Sequence, residues 1–106
     1  MATMSDREKA FEDKFQHDEE IRFKVEARQV KLLGLWVAGQ LGKSGDEAEA
    51  YAKELVTFNL GEPGLDDVVG KVMTDLEAVS SGVSKHQVER NLAECEAEAK
   101  QQIMAE

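Results

Sequence analysis

The side chains that could do chemistry are few and far apart in this sequence. It has one cysteine, Cys95, and two histidines, His17 and His86. A structural zinc site needs four cysteine or histidine ligands at close spacing, so this set does not make one. A di-iron site in a helical bundle needs a glutamate three residues before each histidine, but those positions hold Lys14 and Val83. The sequence therefore predicts no metal centre.

Catalysis by a nucleophile or on a phosphate is equally poorly supported. No glycine-rich loop is followed by Lys and Ser or Thr, so the P-loop motif is absent from the sequence. Cys95 falls on an apolar helical stripe, which favours packing over reactivity. The acidic runs Asp18–Glu20 and Asp66–Asp67 could hold a weak cation, but solvated helix faces and helix N-terminal charges explain them better. We predict a protein that is not an enzyme and has no catalytic residue.

Composition limits the class of partner. The net charge is −9, and residues 42–83 carry nine acids against three bases. Without a basic patch, binding to nucleic acid or to an anionic membrane is disfavoured. The longest apolar run, Leu32–Leu41, is too short to span a bilayer, and Asp6 and Glu8 stand where a signal peptide would be apolar. A single cysteine fits a reducing compartment, so we expect a cytoplasmic protein.

The hydrophobic spacing predicts four helices and no strand. They cover about residues 6–41, then 46 to just before Gly61, then 66–79, and a fourth from residue 84 onward. Glycine-rich turns separate them, and short connections fit antiparallel neighbours in a bundle. The predicted fold is an all-α four-helix bundle with a long N-terminal helical arm that is partly projecting or flexible.

Two of the helix starts carry capping signals. Ser84 and Gln87 form a capping box, and Asp46 and Glu49 have the same spacing with Asp in place of Ser or Thr. The expected core faces are Ala48, Tyr51, Ala52, Leu55 and Val56 on the second helix, Val68, Val69, Val72, Met73 and Leu76 on the third, and Val88, Leu92, Cys95, Ala99 and Ile103 on the fourth.

The first helix carries two different surfaces. Its first half is densely charged with mixed sign and holds Phe11 and Phe15 one turn apart, whereas Leu32–Leu41 is apolar on nearly every side. The second half should therefore be the central helix of the bundle, with Trp36 in the core. At about 100° per residue, the core stripe lies a quarter-turn or more from the Phe11 face; it comprises Phe23, Ala27, Val30, Gly34, Val37 and Leu41.

One straight helix cannot easily bury both surfaces against one small core. Either the helix bends near His17 and the rings of Phe11 and Phe15 fold back as core, or the arm projects and buries these rings in another protein. A bend near His17, among carboxylates that favour the charged imidazolium, would also be sensitive to pH. A surface histidine is the simpler interpretation.

Two sequence blocks resemble a known family. The segment 6–20 (DREKAFEDKFQHDEE) and the segment 31–36 (KLLGLW) together are similar to the ATP synthase inhibitor subunit zeta of alphaproteobacteria. The likeness continues through residues 41–43 and 49–54 and loosens after Phe58. It implies a four-helix bundle that inhibits ATP hydrolysis without catalysis. In that family an N-terminal segment is thought to enter a catalytic alpha/beta interface next to the gamma stalk and to block hydrolytic rotation.

Carried onto this sequence, the resemblance implies an inhibitory arm at residues 1–19 and a four-helix bundle at 20–106. It also implies an association with the cytoplasmic face of the inner membrane through the F-type synthase headpiece, a monomer when free, and no cofactor beyond a weak adenine-nucleotide site that no motif places. The alternatives are a helical adaptor for another protein and a small nucleotide-sensing module. The implied protein-binding residues are the anchors Phe11 and Phe15 and the rim Arg7, Lys9, Glu12, Asp13 and Lys14.

Overall fold

The computed structural model describes the backbone of residues 2–61 and 64–106 and the side chains of residues 18–61 and 64–106. Within these ranges the chain is four helices without a strand. They are α1 (Ala2–Gln40), α2 (Asp46–Gly61), α3 (Leu65–Ala78) and α4 (Lys85–Ala105). The predicted all-α bundle is confirmed, with helix ends within a few residues of those expected.

The apolar half of α1 is the centre of the bundle, as predicted. It packs mainly on α2 and α4, whereas α3 contacts the other helices more lightly. The helical spacing of the apolar residues gives each helix an apolar face that it presents to its neighbours. The fully buried side chains of the core include Val30, Leu33, Val37, Leu55, Val68, Val72, Leu76 and Val88.

One capping prediction holds and the other is wrong. Ser84 caps α4, since its Oγ accepts from the Gln87 backbone N–H at 3.2 Å and its own N–H donates to Gln87 Oε1 at 2.8 Å. Asp46, by contrast, is the first residue inside α2. The Glu49 N–H donates to the Gly45 carbonyl at 3.1 Å, so Gly45 has the cap position and Asp46 instead places negative charge in the first turn.

Two predictions about α1 need correction. Phe23, assigned to the core stripe, is 57% exposed, because the stripe is buried only from Val25 onward. Trp36 packs against the core but is only partly buried, at its edge. Position 17, where one of the two alternatives placed a bend, lies within the single helix Ala2–Gln40. Among the residues searched, we find no helix with both the length and the apolar character that a membrane span requires.

Candidate functional site

The sequence-predicted binding residues all fall in the N-terminal half of α1. The helix bounds include each of these positions, but their side chains, like that of His17, lie outside the described residues. The described surface of α1 begins at Asp18. The predicted binding residues are Arg7, Lys9, Phe11, Glu12, Asp13, Lys14 and Phe15.

Polar contacts to α4 hold the base of the arm. The Arg28 guanidinium donates to Gln102 Oε1 at 2.7 Å and pairs with Glu106 Oε1 at 2.9 Å. Next to it the buried amide of Gln29 donates to the Leu92 carbonyl at 3.0 Å. These bonds connect residues 28 and 29 of α1 to α4. Sequence analysis missed both, since neither residue stands out from a charged helix surface by its type or spacing.

Apolar burial of α1 begins at Val25. Among the described residues before it, all are exposed except Ile21, which is partly buried. From Val25 to Ala38 the helix contributes five fully or nearly fully buried apolar residues to the core. Burial of α1 in the bundle therefore begins about one turn after position 20.

An open groove of about 830 Å³ runs between α1 and α4 at this point. Phe23 and Met104 line it and are 57% and 72% exposed. Its rim carries both signs of charge, from Glu19, Arg22, Glu26, Glu96 and Lys100. Phe23 also borders a second groove, of about 770 Å³, between α1, α2 and the end of α4.

The second groove is lined by four basic and three acidic side chains. Lys24, Lys31 and Lys53 line it and make no ion pair with a described residue, while Arg28 in the same groove is paired with Glu106. Asp46 and Glu49 are the other two acids of the lining. The floor is apolar, with Ala27, Ala50, Val56 and Ile103. Such a groove could receive a small anionic ligand with an apolar part.

A polar network joins α2 to α3. The Tyr51 hydroxyl donates to Asp75 Oδ2 at 2.7 Å, and Lys71 Nζ donates to the same oxygen at 3.2 Å. Lys71 also lies 5.9 Å from the ring centres of Tyr51 and Phe58. Burial, and then the hydrogen bond to Asp75, raise the pKa of Tyr51 far above its ordinary value. The network connects α2 to α3 and contains no reactive group.

The other candidate groups are Cys95, His86 and the two acidic runs. Cys95 is buried, and burial raises the pKa of its thiol to about 11, which leaves little thiolate near neutral pH. His86 is exposed in the first turn of α4. The acids at 18–20 and 66–67 are exposed, and the described residues contain no group of His, Cys, Asp or Glu side chains that could hold a metal ion.

Comparison with known proteins decides the family. The family model for the ATPase inhibitor subunit zeta matches residues 1–102. The chain belongs to this family. The match includes both the arm and the bundle, so it covers the predicted binding residues as well as the core. Membership supports a role as an ATP synthase inhibitor, and an inhibitor subunit fits a non-catalytic protein.

The fold of this zeta family member also has a solved counterpart. A protein known from a solution NMR structure is similar over 80% of this chain and 96% of its own length, with 46% sequence identity and a TM-score of 0.71. At this identity the likeness extends beyond fold to sequence. A search of curated proteins gave no match.

Proposed function

We propose that this zeta family member inhibits ATP hydrolysis by the F-type ATP synthase. Its arm, residues 1–19, enters a catalytic alpha/beta interface beside the gamma stalk, and rotation in the hydrolytic direction is blocked. The family match over residues 1–102 carries this proposal, because it spans arm and bundle together. Synthesis, which needs rotation in the opposite direction, is spared.

The geometry of α1 supports an inserted arm. Val25 is the first buried residue of α1 among those described, and α1 begins at Ala2. At 1.5 Å per residue, the part of α1 that precedes Val25 is about 34 Å long, enough to reach deep into a subunit interface. The hydrogen bonds of Arg28 and Gln29 to α4 join this part of α1 to the bundle.

The roles within the arm follow from side-chain type. Phe11 and Phe15 lie one turn apart and serve as apolar anchors, since buried aromatic residues commonly dominate binding energy. The charged residues around them form a rim that orients the arm in the interface and keeps water from the two anchors. These residues are Arg7, Lys9, Glu12, Asp13 and Lys14. The bundle, residues 20–106, stays outside as a docking body, and the free protein is a monomer.

The test is ATP hydrolysis by the purified cognate headpiece, with the full chain and with a chain that lacks residues 1–19. Circular dichroism and thermal melting establish that the shortened chain keeps its bundle. We expect inhibition by the full chain alone. Equal inhibition by both would move the active surface to the bundle, and no inhibition by either folded protein would favour a helical adaptor for another partner.

A second candidate function is regulation by a small anionic ligand such as an adenine nucleotide. The groove lined by Lys24, Lys31 and Lys53 supports it, because three lysines without an ion pair to a described residue, next to apolar side chains, suit phosphates attached to a ring. The acids Asp46, Glu49 and Glu106 in the same lining reduce this attraction. Titration with ATP, followed by amide shifts, should move resonances at this groove and saturate. The triple change of these lysines to Gln should abolish the shifts, whereas Lys85→Gln, at an exposed site elsewhere, should leave them. Absence of a saturable shift removes this candidate.

A further inference from the structure

We propose that the bundle contributes a second contact to the synthase headpiece, through a shoulder formed by Phe23 and Met104. This inference rests on the proposed inhibitory function and extends it beyond the arm. The shoulder is the apolar part of the groove between α1 and α4, with Ile21 partly buried beside it. Its occupant is the protein surface of the headpiece that lies next to the inserted arm.

The exposure of the two side chains is the first argument. Four large hydrophobic side chains are exposed among the described residues, at Phe23, Leu60, Val79 and Met104. Phe23 and Met104 share one groove although they lie on different helices. An exposed aromatic beside an exposed methionine is typical of a binding surface, since the ring supplies area and the thioether adapts its shape.

Continuity with the arm identifies the occupant. Phe23 lies four residues after Glu19 on the same uninterrupted helix, which is about 6 Å along the axis. A partner that encloses α1 as far as residue 19 therefore comes within side-chain reach of Phe23. The tie of Arg28 to Gln102 and Glu106 keeps the end of α4, and Met104 with it, beside this stretch of α1.

The charges around the shoulder fit a protein surface. Three glutamates and two bases line the groove, and Lys100 is paired with Glu96 at 2.9 Å. A rim of mixed sign offers hydrogen bonds and ion pairs to a polar protein surface around an apolar centre. It gives no attraction to a polyanion or to an anionic membrane.

Two linked contacts predict a specific kinetic effect. Once the arm is inserted, the shoulder meets its partner as an intramolecular event at high effective concentration. Loss of the shoulder should therefore mainly speed dissociation of the inhibitor, because interface changes act mostly on the off-rate. Full inhibition should still be reached at saturating concentration, since the arm itself is intact.

The experiment compares four full-length chains as inhibitors of ATP hydrolysis by the cognate headpiece. These are the unmodified protein, the double variant Phe23→Ala with Met104→Ala, the double variant Phe11→Ala with Phe15→Ala, and Leu60→Ala. Leu60 is the matched control, because it is as exposed as Phe23 but does not line the groove. Thermal melting of each chain verifies an intact bundle.

For the shoulder variant we expect a half-inhibitory concentration at least tenfold higher, a faster recovery of activity on dilution and unchanged maximal inhibition. Leu60→Ala should match the unmodified protein. Inhibition by the unmodified protein but not by the Phe11 and Phe15 variant would support the proposed role of the arm. If, in that case, the shoulder variant has the same half-inhibitory concentration as Leu60→Ala, only the shoulder proposal is overturned. If the unmodified protein does not inhibit, both proposals fall. The shoulder proposal would also be overturned if the unmodified protein self-associates and the shoulder variant is a monomer. The shoulder would then bind a second copy of the chain instead of the headpiece.

Discussion

Gly34 of α1 lies directly against the backbone of Ala52 in α2. A β-carbon on Gly34 would lie 2.7 Å from Ala52 Cα and 3.1 Å from Ala52 Cβ. The nearest obstacle is main chain, which cannot rotate away as a flexible side chain would. The helices approach closely here because both positions carry small residues, and this approach sets how α1 and α2 pack around Val37 and Leu55.

Gly34→Ala should therefore destabilise the protein. Alanine improves helix propensity by about 1 kcal/mol, but overpacking a core contact costs about 1–3 kcal/mol, and here the α2 backbone must also move. We expect a net loss of about 1–2 kcal/mol, measured as the free energy of unfolding in guanidinium. Gly70→Ala is the control, since Gly70 is exposed within α3 with open space around it; it should be neutral or stabilising. A stabilised Gly34→Ala variant would contradict the close packing.

Most of the fold follows from the sequence because the signals are local. Periodic apolar residues and glycine turns place all four helices, and the Ser84 capping box is found where predicted. The helical wheel places Phe23 on the core stripe, whereas the core prediction for Trp36 rests on the all-round apolar character of Leu32–Leu41. A helical wheel gives the direction in which each side chain points around the helix axis. It does not show how far along the helix the neighbouring helices extend, so it cannot show that burial of this stripe begins at Val25.

Ser84→Ala should loosen the start of α4. The change removes the Oγ that accepts from the Gln87 N–H at 3.2 Å, and loss of such a cap costs about 0.5–2 kcal/mol. Ser84→Asp should keep most of the stability, because a carboxylate also accepts this hydrogen bond and favours a helix N-terminus. Thermal melting of the three proteins tests this. Equal stability of Ser84→Ala and the unmodified protein would mean that water replaces the cap without cost.

Tyr51→Phe should change how stability depends on pH. Tyr51 is the only tyrosine, and burial, with the hydrogen bond to Asp75, raises its pKa far above the ordinary value of about 10. The folded state therefore keeps the phenol protonated where the unfolded state ionises. Its contribution to stability is fully present below about pH 10 and is lost as the pH rises above it, by up to about 1.4 kcal/mol per pH unit.

At pH 8, Tyr51→Phe should be less stable by about 0.5–1.5 kcal/mol, because one buried hydrogen bond is lost. Above pH 10 its stability should fall less steeply than that of the unmodified protein, so the two curves should approach each other. Unfolding in guanidinium from pH 8 to 11, followed by Trp36 fluorescence, measures both. Parallel curves over this range would show that Tyr51 ionises equally in both states.

The candidate site was less predictable than the fold. The family resemblance and the charged first half of α1 indicate the N-terminal segment as the binding region. The groove between α1 and α4 is not predictable in this way, because residues far apart in sequence form it, such as Phe23 and Met104. The hydrogen bond of Gln29 to the Leu92 carbonyl is of the same kind. Contacts between distant segments depend on helix crossing and register, which no local pattern specifies.

The anchor residues of the arm give the sharpest functional prediction. Phe11→Ala with Phe15→Ala should weaken inhibition of headpiece ATP hydrolysis at least tenfold, since each buried aromatic anchor commonly contributes about 2 kcal/mol or more. The melting temperature should stay close to that of the unmodified protein, because the core described here begins at Val25. Gln16→Ala, on the same arm but outside the proposed contact set, is the control and should inhibit normally. A double variant that inhibits as well as this control would refute the anchors, and one that melts far lower would show that the two rings belong to the core.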